Sequence, residues 1–272
     1  MGARRLSISR PTLALACGAA LALLVIRNLN RRRLTLARWW IRQRLLRRRL
    51  VERDLVDAAE ITRVAGVDIS FVKESETDAC AALVVCELPS LRVVYEHFER
   101  VVLREPYVPG YLAFREVDFL LALLDELRRT QPELLPHAIL VDGNGVLHPN
   151  GFGLACHLGV LADLPTIGVG KTVHHVDGIS RDLVRAESEA RCAARGDAVD
   201  LVGASGRVWA AALRTTDVQP FKPILVSVGH GFSLPTAVDL VRRCSTSRIP
   251  EPVRQADLRS REWLRTHGTV DS

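Results

Sequence analysis

The spacing of apolar and polar residues predicts three strands and a helix in the first part of the body of the chain. Apolar, β-branched runs cover residues 64–72, 79–88 and 91–98, with only brief connections between them. Short connections favour an antiparallel meander. Residues 115–130 then carry one apolar stripe at helical spacing, and this stripe ends before Pro132.

The remainder of the body alternates between strand and helix patterns. Apolar runs predict strands at 138–142, 166–170, 207–214 and 223–228, and helical spacing predicts helices at 154–162 and 233–244. The helix at 233–244 is expected to be the last one, because glycine, proline and polar residues follow it to the end of the chain. Three antiparallel strands followed by alternating helices and strands indicate an α/β fold with a mixed sheet flanked by helices.

The N-terminal residues differ from the body in charge. Residues 1–51 contain thirteen arginines and no acidic residue. Since the net charge of the whole chain is +6, residues 52–272 carry a net charge of −7. An acidic body argues against broad coating of nucleic acid, but it suits an enzyme whose carboxylates recruit cations that face phosphates. Residues 36–56 place tryptophans and leucines at helical spacing among arginines, which predicts an amphipathic helix with a basic face.

A short apolar run stands near the N-terminus. Residues 11–26 are sixteen uncharged residues with arginines on both sides. A membrane-spanning helix needs about 20 apolar residues. Three interpretations stay open, namely a short signal anchor with its basic flank in the cytosol, an arginine-rich targeting peptide, and a leader without a role. Membrane association through residues 11–26 is therefore one expectation among three.

The cysteines predict buried thiols. The six cysteines show no C-x-x-C spacing, and most stand in apolar runs, at positions 17, 80, 86, 156, 192 and 244. This pattern favours free thiols in a reducing compartment over a zinc site or a disulfide framework.

Three acidic residues stand on three different predicted elements. Asp68 lies inside an apolar strand, Asp142 ends another strand, and Glu116 begins the helix of residues 115–130. A carboxylate in apolar surroundings is costly unless it is paired or binds a cation, and oxygen ligands are what Mg²⁺ binds. One interpretation is a metal site for phosphodiester hydrolysis. The other interpretation is structural: Asp68 would form an ion pair, Glu116 would be an acid favoured at a helix N-terminus, and Asp142 would cap a turn.

The segment PYVPG forms a stiff loop with an aromatic residue near its start. Pro106 and Pro109 bracket Tyr107 and Val108, and Gly110 follows them. Proline fixes φ and stiffens the backbone. A rigid aromatic tip can wedge between stacked bases or support a flipped base. The alternative is an ordinary proline turn with a packed tyrosine.

A glycine-rich loop follows the strand that ends at Asp142. Glycines bring the backbone close to another group, and exposed amides could bind a base edge or a phosphate. His148 could act near the leaving group or be a simple turn histidine. The candidate substrate-binding residues of this loop are Gly143, Asn144, Gly145, His148, Gly151 and Gly153.

Two further residues stand at the ends of predicted strands. Lys171 ends the sequence GVGK, where it could hold the scissile phosphate or orient water. His230 ends the sequence SVGH, where it could contact a metal ion or water, since imidazole is a common ligand.

Six sequence blocks together resemble the signature blocks of the endonuclease V family. They occur in the family's order and are VAGVDISF (64–71), PYVPGYLAFRE (106–116), VDGNGVLHPNGFGLACHLGV (141–160), LPTIGVGK (164–171), SVGHGFSL (227–234) and RIPEPVRQAD (248–257). The resemblance implies a ribonuclease H-like fold and a nuclease that depends on Mg²⁺, with Mn²⁺ as a substitute. It also implies recognition of inosine and cleavage of the second phosphodiester bond on its 3′ side.

The resemblance assigns roles to the acidic and basic candidates. It implies that Asp68, Glu116 and Asp142 hold the metal ion, that Lys171 belongs to the catalytic site, and that His230 occupies a further active-site position. These assignments agree with the metal-site interpretation of the three acidic residues.

The resemblance also describes the substrate side. Tyr107 would be the wedge that separates strands, and the loop at residues 143–153 would hold the flipped base. The expected partners are inosine-containing single-stranded RNA and DNA, since eukaryotic members favour RNA and bacterial members repair deaminated DNA. Family members as known differ at Pro109, so the loop here is expected to be stiffer.

The chain is expected to divide into a leader at residues 1–35, a catalytic domain at 36–265 and a tail at 266–272. The leader has no counterpart in the family resemblance. We expect a monomer in the cytoplasm and in the nucleus or nucleolus. Two alternatives are a non-catalytic inosine-RNA-binding protein of the same fold and a form of the nuclease tethered to a membrane by residues 11–26.

Overall fold

One eight-stranded sheet forms the centre of the protein. The structure, a computed structural model, describes residues 32–267. The strands are β1 (Arg63–Phe71), β2 (Asp78–Glu87), β3 (Arg92–Val102), β4 (Ala138–Asp142), β5 (Thr166–Gly170), β6 (Ala198–Val202), β7 (Val208–Leu213) and β8 (Ile224–His230). They lie in the order β3-β2-β1-β4-β5-β8-β7-β6. The first three strands form the predicted antiparallel meander, which is confirmed.

Helices cover both faces of the sheet. They are α2 (Ala113–Thr130), α3 (Leu154–Ala162), α4 (Arg181–Arg191), α5 (Leu234–Arg243) and α6 (Glu251–His267). A further helix, α1, comprises residues 32–47. Leucines of α2 and α3 pack on one face of the meander and β4. Residues of α5 and the start of α6 pack on the other face of the central strands. Two aliphatic cores therefore hold the sheet between two helical layers.

Strand direction determines which residues meet at each edge of the sheet. Strand β4 is parallel to both β1 and β5, whereas β8 is antiparallel to β5. The predicted mixed sheet is therefore confirmed. The carboxyl ends of β1, β4 and β5 lie at one edge, and the carboxyl end of β8 lies at the other.

Three elements were not predicted from the sequence, and one expectation about the chain end was wrong. Residues 251–267 form α6 rather than an irregular end. Its buried side is made of small or short residues, including Ala256 and Ser260, so its apolar stripe is weak in the sequence. Helix α4 and strand β6 were missed for a similar reason, since each buries only two residues.

The helix predicted at 36–56 ends earlier, at residue 47. The amide of Gly231 donates to the carbonyl of Val51, and the amide of Leu55 donates to the carbonyl of Gly231. These bonds hold residues 51–55 against the turn after β8, so the helix cannot continue through them.

The described part of the chain divides into two compact units, with the boundary between Leu45 and Leu46. In the first unit, α1 places the guanidinium of Arg44 over the ring of Trp40, 4.8 Å from its centre. The apolar run at residues 11–26 lies outside the described residues. Within residues 32–267, no helix is both long and apolar enough to cross a membrane.

The thiol prediction is confirmed for the five described cysteines. Each of them is buried and free of a disulfide bond. Burial raises the pKa of Cys80, Cys86 and Cys244 to about 12, so these thiols stay protonated and unreactive at neutral pH.

Candidate active site

The three predicted acids approach one another at the carboxyl-end edge of the sheet. Val67 of β1 lies beside Val141 of β4 in parallel register, so the next residues, Asp68 and Asp142, stand at the same level of the sheet. Glu116 comes from the first turn of α2 and is only 8% exposed. Two neighbouring strands and one helix therefore bring three carboxylates to one place.

Burial and mutual repulsion perturb two of these acids. Burial, together with the charges of Asp68 and Asp142, raises the pKa of Glu116 to about 8. Burial, followed by the charge of Asp142, raises the pKa of Asp68 to about 6. Like charges disfavour the ionised form of each neighbour. The centre therefore holds more negative charge than its protein surroundings compensate.

A lysine supplies part of the missing positive charge. The Nζ atom of Lys171, just after β5, lies 2.5 Å from Oδ2 of Asp142. Lys171 also lowers the pKa of Asp68, although burial and Asp142 outweigh it. A single ammonium group is thus shared by two carboxylates, and its side chain remains partly exposed to incoming ligands.

The donor set fits a divalent cation. Hard oxygen donors with uncompensated charge are what Mg²⁺ and Ca²⁺ bind. In the part of the chain that the structure describes, no three histidine, cysteine or acidic side chains already form a group that could hold a metal ion. The acids raise the pKa values of Asp68 and Glu116 without forming a ready-made ligand group, and the Lys171 ammonium pairs with one oxygen of Asp142.

A fourth carboxylate, which the sequence analysis missed, lies near Asp68. The charge of Asp257 on α6 raises the pKa of Asp68, although burial and the charge of Asp142 have larger effects. Its carboxylate pairs with Arg261 at 2.7 Å and is 24% exposed. The signal in the sequence was its position as the last residue of the block RIPEPVRQAD, but a polar segment without a predicted helix gave no reason to place it at the site.

His230 does not join this centre, and its predicted place is corrected. It ends β8 and pairs with Thr166, the first residue of β5, whereas Lys171 follows the last residue of that strand. Its Nδ1 accepts a hydrogen bond from the amide of Val51 at 3.3 Å. Burial lowers its pKa. Because β8 runs antiparallel to β5, its carboxyl end lies at the opposite edge of the sheet.

The loop around Tyr107 is exposed. The Tyr107 side chain is 63% accessible, so the alternative of a packed tyrosine is wrong. The amide of Tyr111 donates to the carbonyl of Val108 at 2.9 Å, and Gly110 has φ +82°, which closes the turn. A Cβ atom on Gly110 would lie 3.7 Å from the side-chain nitrogen Nδ2 of Asn150. This loop therefore borders the glycine-rich loop.

The glycine-rich loop is packed inside the protein rather than open to solvent. The amide of Gly145 donates to Oγ of Ser227 at 2.9 Å, and the amide of Gly153 donates to the carbonyl of Gly145 at 2.9 Å. A Cβ atom on Gly145 would lie 1.9 Å from the carbonyl oxygen of Val228. The expectation of exposed amides is therefore corrected at these positions, where glycine allows close backbone packing.

The same holds for other candidates of this loop. The amide of Gly143 donates to the carbonyl of Val169 at 3.3 Å, and that of Gly151 donates to the carbonyl of His148 at 2.7 Å. The side chain of Asn144 is buried against Gly170. The groups of this loop that border the Pro106–Gly110 turn are the side chains of His148 and Asn150, which lie near Gly110.

His148 is a neutral histidine at this turn. Its Nδ1 accepts a hydrogen bond from the amide of Asn150 at 3.1 Å, so a neutral ring carries its proton on Nε2. Burial and the nearby His174 lower its pKa to about 4. The two rings lie edge to face, 6.0 Å apart. His148 therefore offers an uncharged donor near neutral pH.

The raised pKa of Glu116 predicts that the metal-free protein loses stability as the pH rises. A carboxyl whose folded pKa is about 8 and whose ordinary value is 4.5 favours folding below pH 4.5, and this contribution is lost as the pH rises through 8. Glu116→Gln removes that loss. In EDTA we expect its Tm to exceed the unsubstituted protein's by roughly 3–6 °C at pH 8.5 and to match it at pH 5.

The matched control for this prediction is Glu133→Gln, which changes an exposed acid away from the centre. Its Tm should follow that of the unsubstituted protein at both pH values. An equal Tm for Glu116→Gln and the unsubstituted protein at pH 8.5 would show that Glu116 is not destabilised by its surroundings.

The fold and the acidic centre together define a class of protein. A mixed sheet with helices on both faces, and with carboxylates on adjacent central strands, suits an enzyme that hydrolyses phosphodiester bonds with the help of metal ions. The sequence profile named "Endonuclease V" matches residues 44–258. The chain belongs to the Endonuclease V family and is an endonuclease, as predicted from its sequence blocks.

Curated relatives and solved structures agree with this assignment. Human Endonuclease V is 50% identical over 237 residues, which cover 85% of this chain and 84% of the human protein. The mouse protein is 49% identical over 237 residues and is covered to 70%. The catalytic domain of human Endonuclease V superposes with a TM-score of 0.83 at 49% identity, over 86% of this chain and 97% of that domain.

A further solved structure contains nucleic acid. Endonuclease V of Ciona intestinalis, in complex with a 24mer DNA containing an inosine followed by a ribo-adenosine, has a TM-score of 0.80 and 34% identity. The similarity covers 86% of this chain and 99% of that one. Enzymes of this family are metal-dependent nucleases in general, which agrees with the oxygen-donor set described above.

Proposed function

We propose that this protein is a Mg²⁺-dependent endonuclease that recognises inosine in single-stranded RNA and in DNA, with Mn²⁺ as a substitute metal. It hydrolyses the second phosphodiester bond 3′ to inosine and leaves 3′-hydroxyl and 5′-phosphate ends. The observation that carries the proposal is the cluster of acids at one end of the sheet, with Asp68 and Asp142 on adjacent strands, buried Glu116 at the start of α2, and Lys171 paired with Asp142. The similar Ciona enzyme bound to inosine-containing DNA supports the substrate class.

In this proposal the acidic residues hold the metal and Lys171 serves the substrate. Asp68, Glu116 and Asp142 supply the oxygen ligands, and Asp257 adds negative charge beside Asp68. When bound, Mg²⁺ would supply an activated water and stabilise the leaving oxygen. The Lys171 ammonium, which lies beside Asp142, would bind a non-bridging oxygen of the scissile phosphate.

The substrate contacts come from the two adjoining loops. Tyr107, held by the Pro106–Gly110 turn, takes the place left by the extruded base. The turn at residues 148–150, which borders that loop, receives the hypoxanthine edge. Hypoxanthine presents a 6-oxo acceptor and a protonated N1, which is the opposite polarity to adenine. A mispaired buried group costs about 1–3 kcal/mol, and this difference selects inosine.

Removal of the Tyr107 ring should weaken substrate binding without destabilising the protein. Base–aromatic stacking contributes about 1–3 kcal/mol by alanine substitution. We therefore expect Tyr107→Ala to raise the Kd for an inosine-containing strand by roughly 5- to 100-fold. Its Tm should not change, since the side chain is 63% exposed. Fluorescence anisotropy with metal-free protein measures the Kd.

Tyr107→Phe is the matched control, because it keeps the ring and removes only the hydroxyl. It should bind inosine strands as the unsubstituted protein does. An unchanged affinity of Tyr107→Ala would exclude the wedge role.

A cleavage assay with matched strands tests the proposed function. Four labelled oligonucleotides of one sequence would carry inosine in RNA, inosine in DNA, inosine in DNA followed by one ribonucleotide, and adenosine in RNA. We expect Mg²⁺- or Mn²⁺-dependent cuts at the second bond 3′ to inosine in the first three and none in the fourth. Binding of inosine strands without cleavage under both metals would instead favour the non-catalytic alternative.

A further inference from the structure

Helix α6 packs on β1 at two places that bracket Asp68. Alternate residues of a strand share one face, so Gly66, Asp68 and Ser70 all face α6. A Cβ atom on Gly66 would lie 2.1 Å from the carbonyl carbon of Pro252, which shows how closely the start of the helix approaches the strand. Two residues beyond Asp68, the hydroxyl of Ser70 meets the hydroxyl of Ser260. The helix thus contacts β1 on either side of Asp68.

The second contact continues to the carboxylate itself. Oγ of Ser260 donates to Oγ of Ser70 at 2.8 Å, and Oγ of Ser70 donates to Oδ2 of Asp68 at 2.9 Å. An ionised carboxylate can only accept, so the hydroxyl of Ser70 donates to Asp68. The Ser260 hydroxyl lies 2.8 Å from Oγ of Ser70 and 3.0 Å from the carbonyl of Asp257, and it is the only remaining donor for the contact with Ser70. Ser260 is fully buried and Ser70 is 6% exposed. Water therefore has little access to replace either hydroxyl.

We infer that Ser70 and Ser260 are positioning residues that orient the Asp68 carboxylate for the metal ion. The hydroxyl chain engages Oδ2 and leaves Oδ1 without a bond to these two serines, so that it is available to a cation. Hydrogen-bonded partners behind metal ligands commonly set ligand orientation, and their loss typically costs 10–100-fold in metal affinity or activity. This inference rests on the proposed metal dependence, and it adds Ser70 and Ser260 to the residues that support the metal site.

Four variants test the inference. Ser70→Ala and Ser260→Ala each remove one hydroxyl of the chain, and Ser70→Thr retains the hydroxyl at the first position. Ser245→Ala is the matched control, because Ser245 is also buried and donates to the Val241 carbonyl at 2.7 Å, at the end of α5.

Two measurements separate positioning from stability. For Ser70→Ala we expect the Mg²⁺ concentration for half-maximal cleavage to rise about tenfold, with metal-free substrate Kd unchanged. The rise in Tm that Mn²⁺ produces without substrate should shrink for Ser70→Ala and Ser260→Ala, because weaker binding stabilises less. Ser70→Thr and Ser245→Ala should keep both the Mg²⁺ dependence and the Mn²⁺ response.

The double variant adds a test of the order of the chain. Because the two hydroxyls act in series, Ser70→Ala with Ser260→Ala should need no more Mg²⁺ than Ser70→Ala alone. Unchanged Mg²⁺ dependence in Ser70→Ala, or an equal loss in Ser245→Ala, would overturn the inference. If the unsubstituted protein showed neither cleavage nor a Mn²⁺ response, the proposed metal site itself would fail. If the unsubstituted protein cleaves normally, and Ser70→Ala and Ser260→Ala keep its Mg²⁺ dependence and its Mn²⁺ response, only the positioning role is refuted.

Discussion

Replacement of Asp68 by asparagine is expected to reduce cleavage of an inosine strand at least about a thousandfold, which corresponds to about 4 kcal/mol of transition-state stabilisation. The substitution preserves the size of the side chain and an oxygen that can accept the bond from Ser70. It removes the negative charge that a divalent cation needs and replaces the second carboxylate oxygen by an NH₂ group, which cannot bind the cation. Single-turnover cleavage at saturating Mg²⁺ measures the loss.

Substrate binding should survive this change. Asp68 is at the acidic centre, whereas the proposed base contacts lie on the Tyr107 loop and the turn at residues 148–150. The Kd for an inosine strand in EDTA should therefore stay within roughly threefold, a difference below 1 kcal/mol. Metal-free stability at pH 8 should not fall, because burial and repulsion keep the pKa of Asp68 at about 6 in the folded protein.

The matched control is Asp118→Asn, since Asp118 is an exposed acid on α2, two residues after Glu116. It should cleave at the normal rate. Retained Mg²⁺-dependent cleavage by Asp68→Asn would remove this residue from the metal site and the proposed mechanism with it.

Gly66→Ala should destabilise the protein by about 3 kcal/mol or more, which lowers Tm by roughly 6–12 °C for a chain of this size. The new Cβ atom would lie 2.1 Å from both the carbonyl carbon and the carbonyl oxygen of Pro252. Both are backbone atoms, so no rotamer change can relieve the overlap. The start of α6 must move away from β1.

A second glycine separates this overlap from backbone strain. Gly206 has φ +82°, and a Cβ atom added there would meet no atom within 4 Å, so Gly206→Ala carries only the strain of a left-handed residue. That strain costs about 1–2 kcal/mol. Thermal unfolding of both variants gives the comparison. A loss for Gly66→Ala no larger than that for Gly206→Ala would show that the helix can yield at this contact.

The local pattern of the sequence predicted several elements with their observed bounds. The strands Ala138–Asp142 and Thr166–Gly170 and the helix Leu154–Ala162 agree with the prediction at both ends. Each is a continuous apolar run with glycine, proline or an acid at its limits, so neighbouring residues alone decide it. The acids Asp68 and Asp142 followed from the same logic, because a charge inside or at the end of such a run is conspicuous.

Other parts of the site depended on contacts between distant segments. Asp257 reaches Asp68 only because α6 packs on β1, and the buried side of that helix is too small and polar to show in the sequence. The glycines of residues 143–153 looked like open amides, but Gly145 packs against the backbone of β8 and Gly153 against the backbone of the loop itself.

The sequence by itself determined the α/β class, the antiparallel meander, the acids on β1 and β4 and the family to which the chain belongs. Tertiary structure alone decided that His230 stands at the far edge of the sheet and that Asp257, Ser70 and Ser260 gather around Asp68. The physical reason is the distance along the chain over which each feature is determined. A periodic pattern is contained within about ten neighbouring residues, whereas strand direction and helix docking depend on packing between segments far apart in the chain.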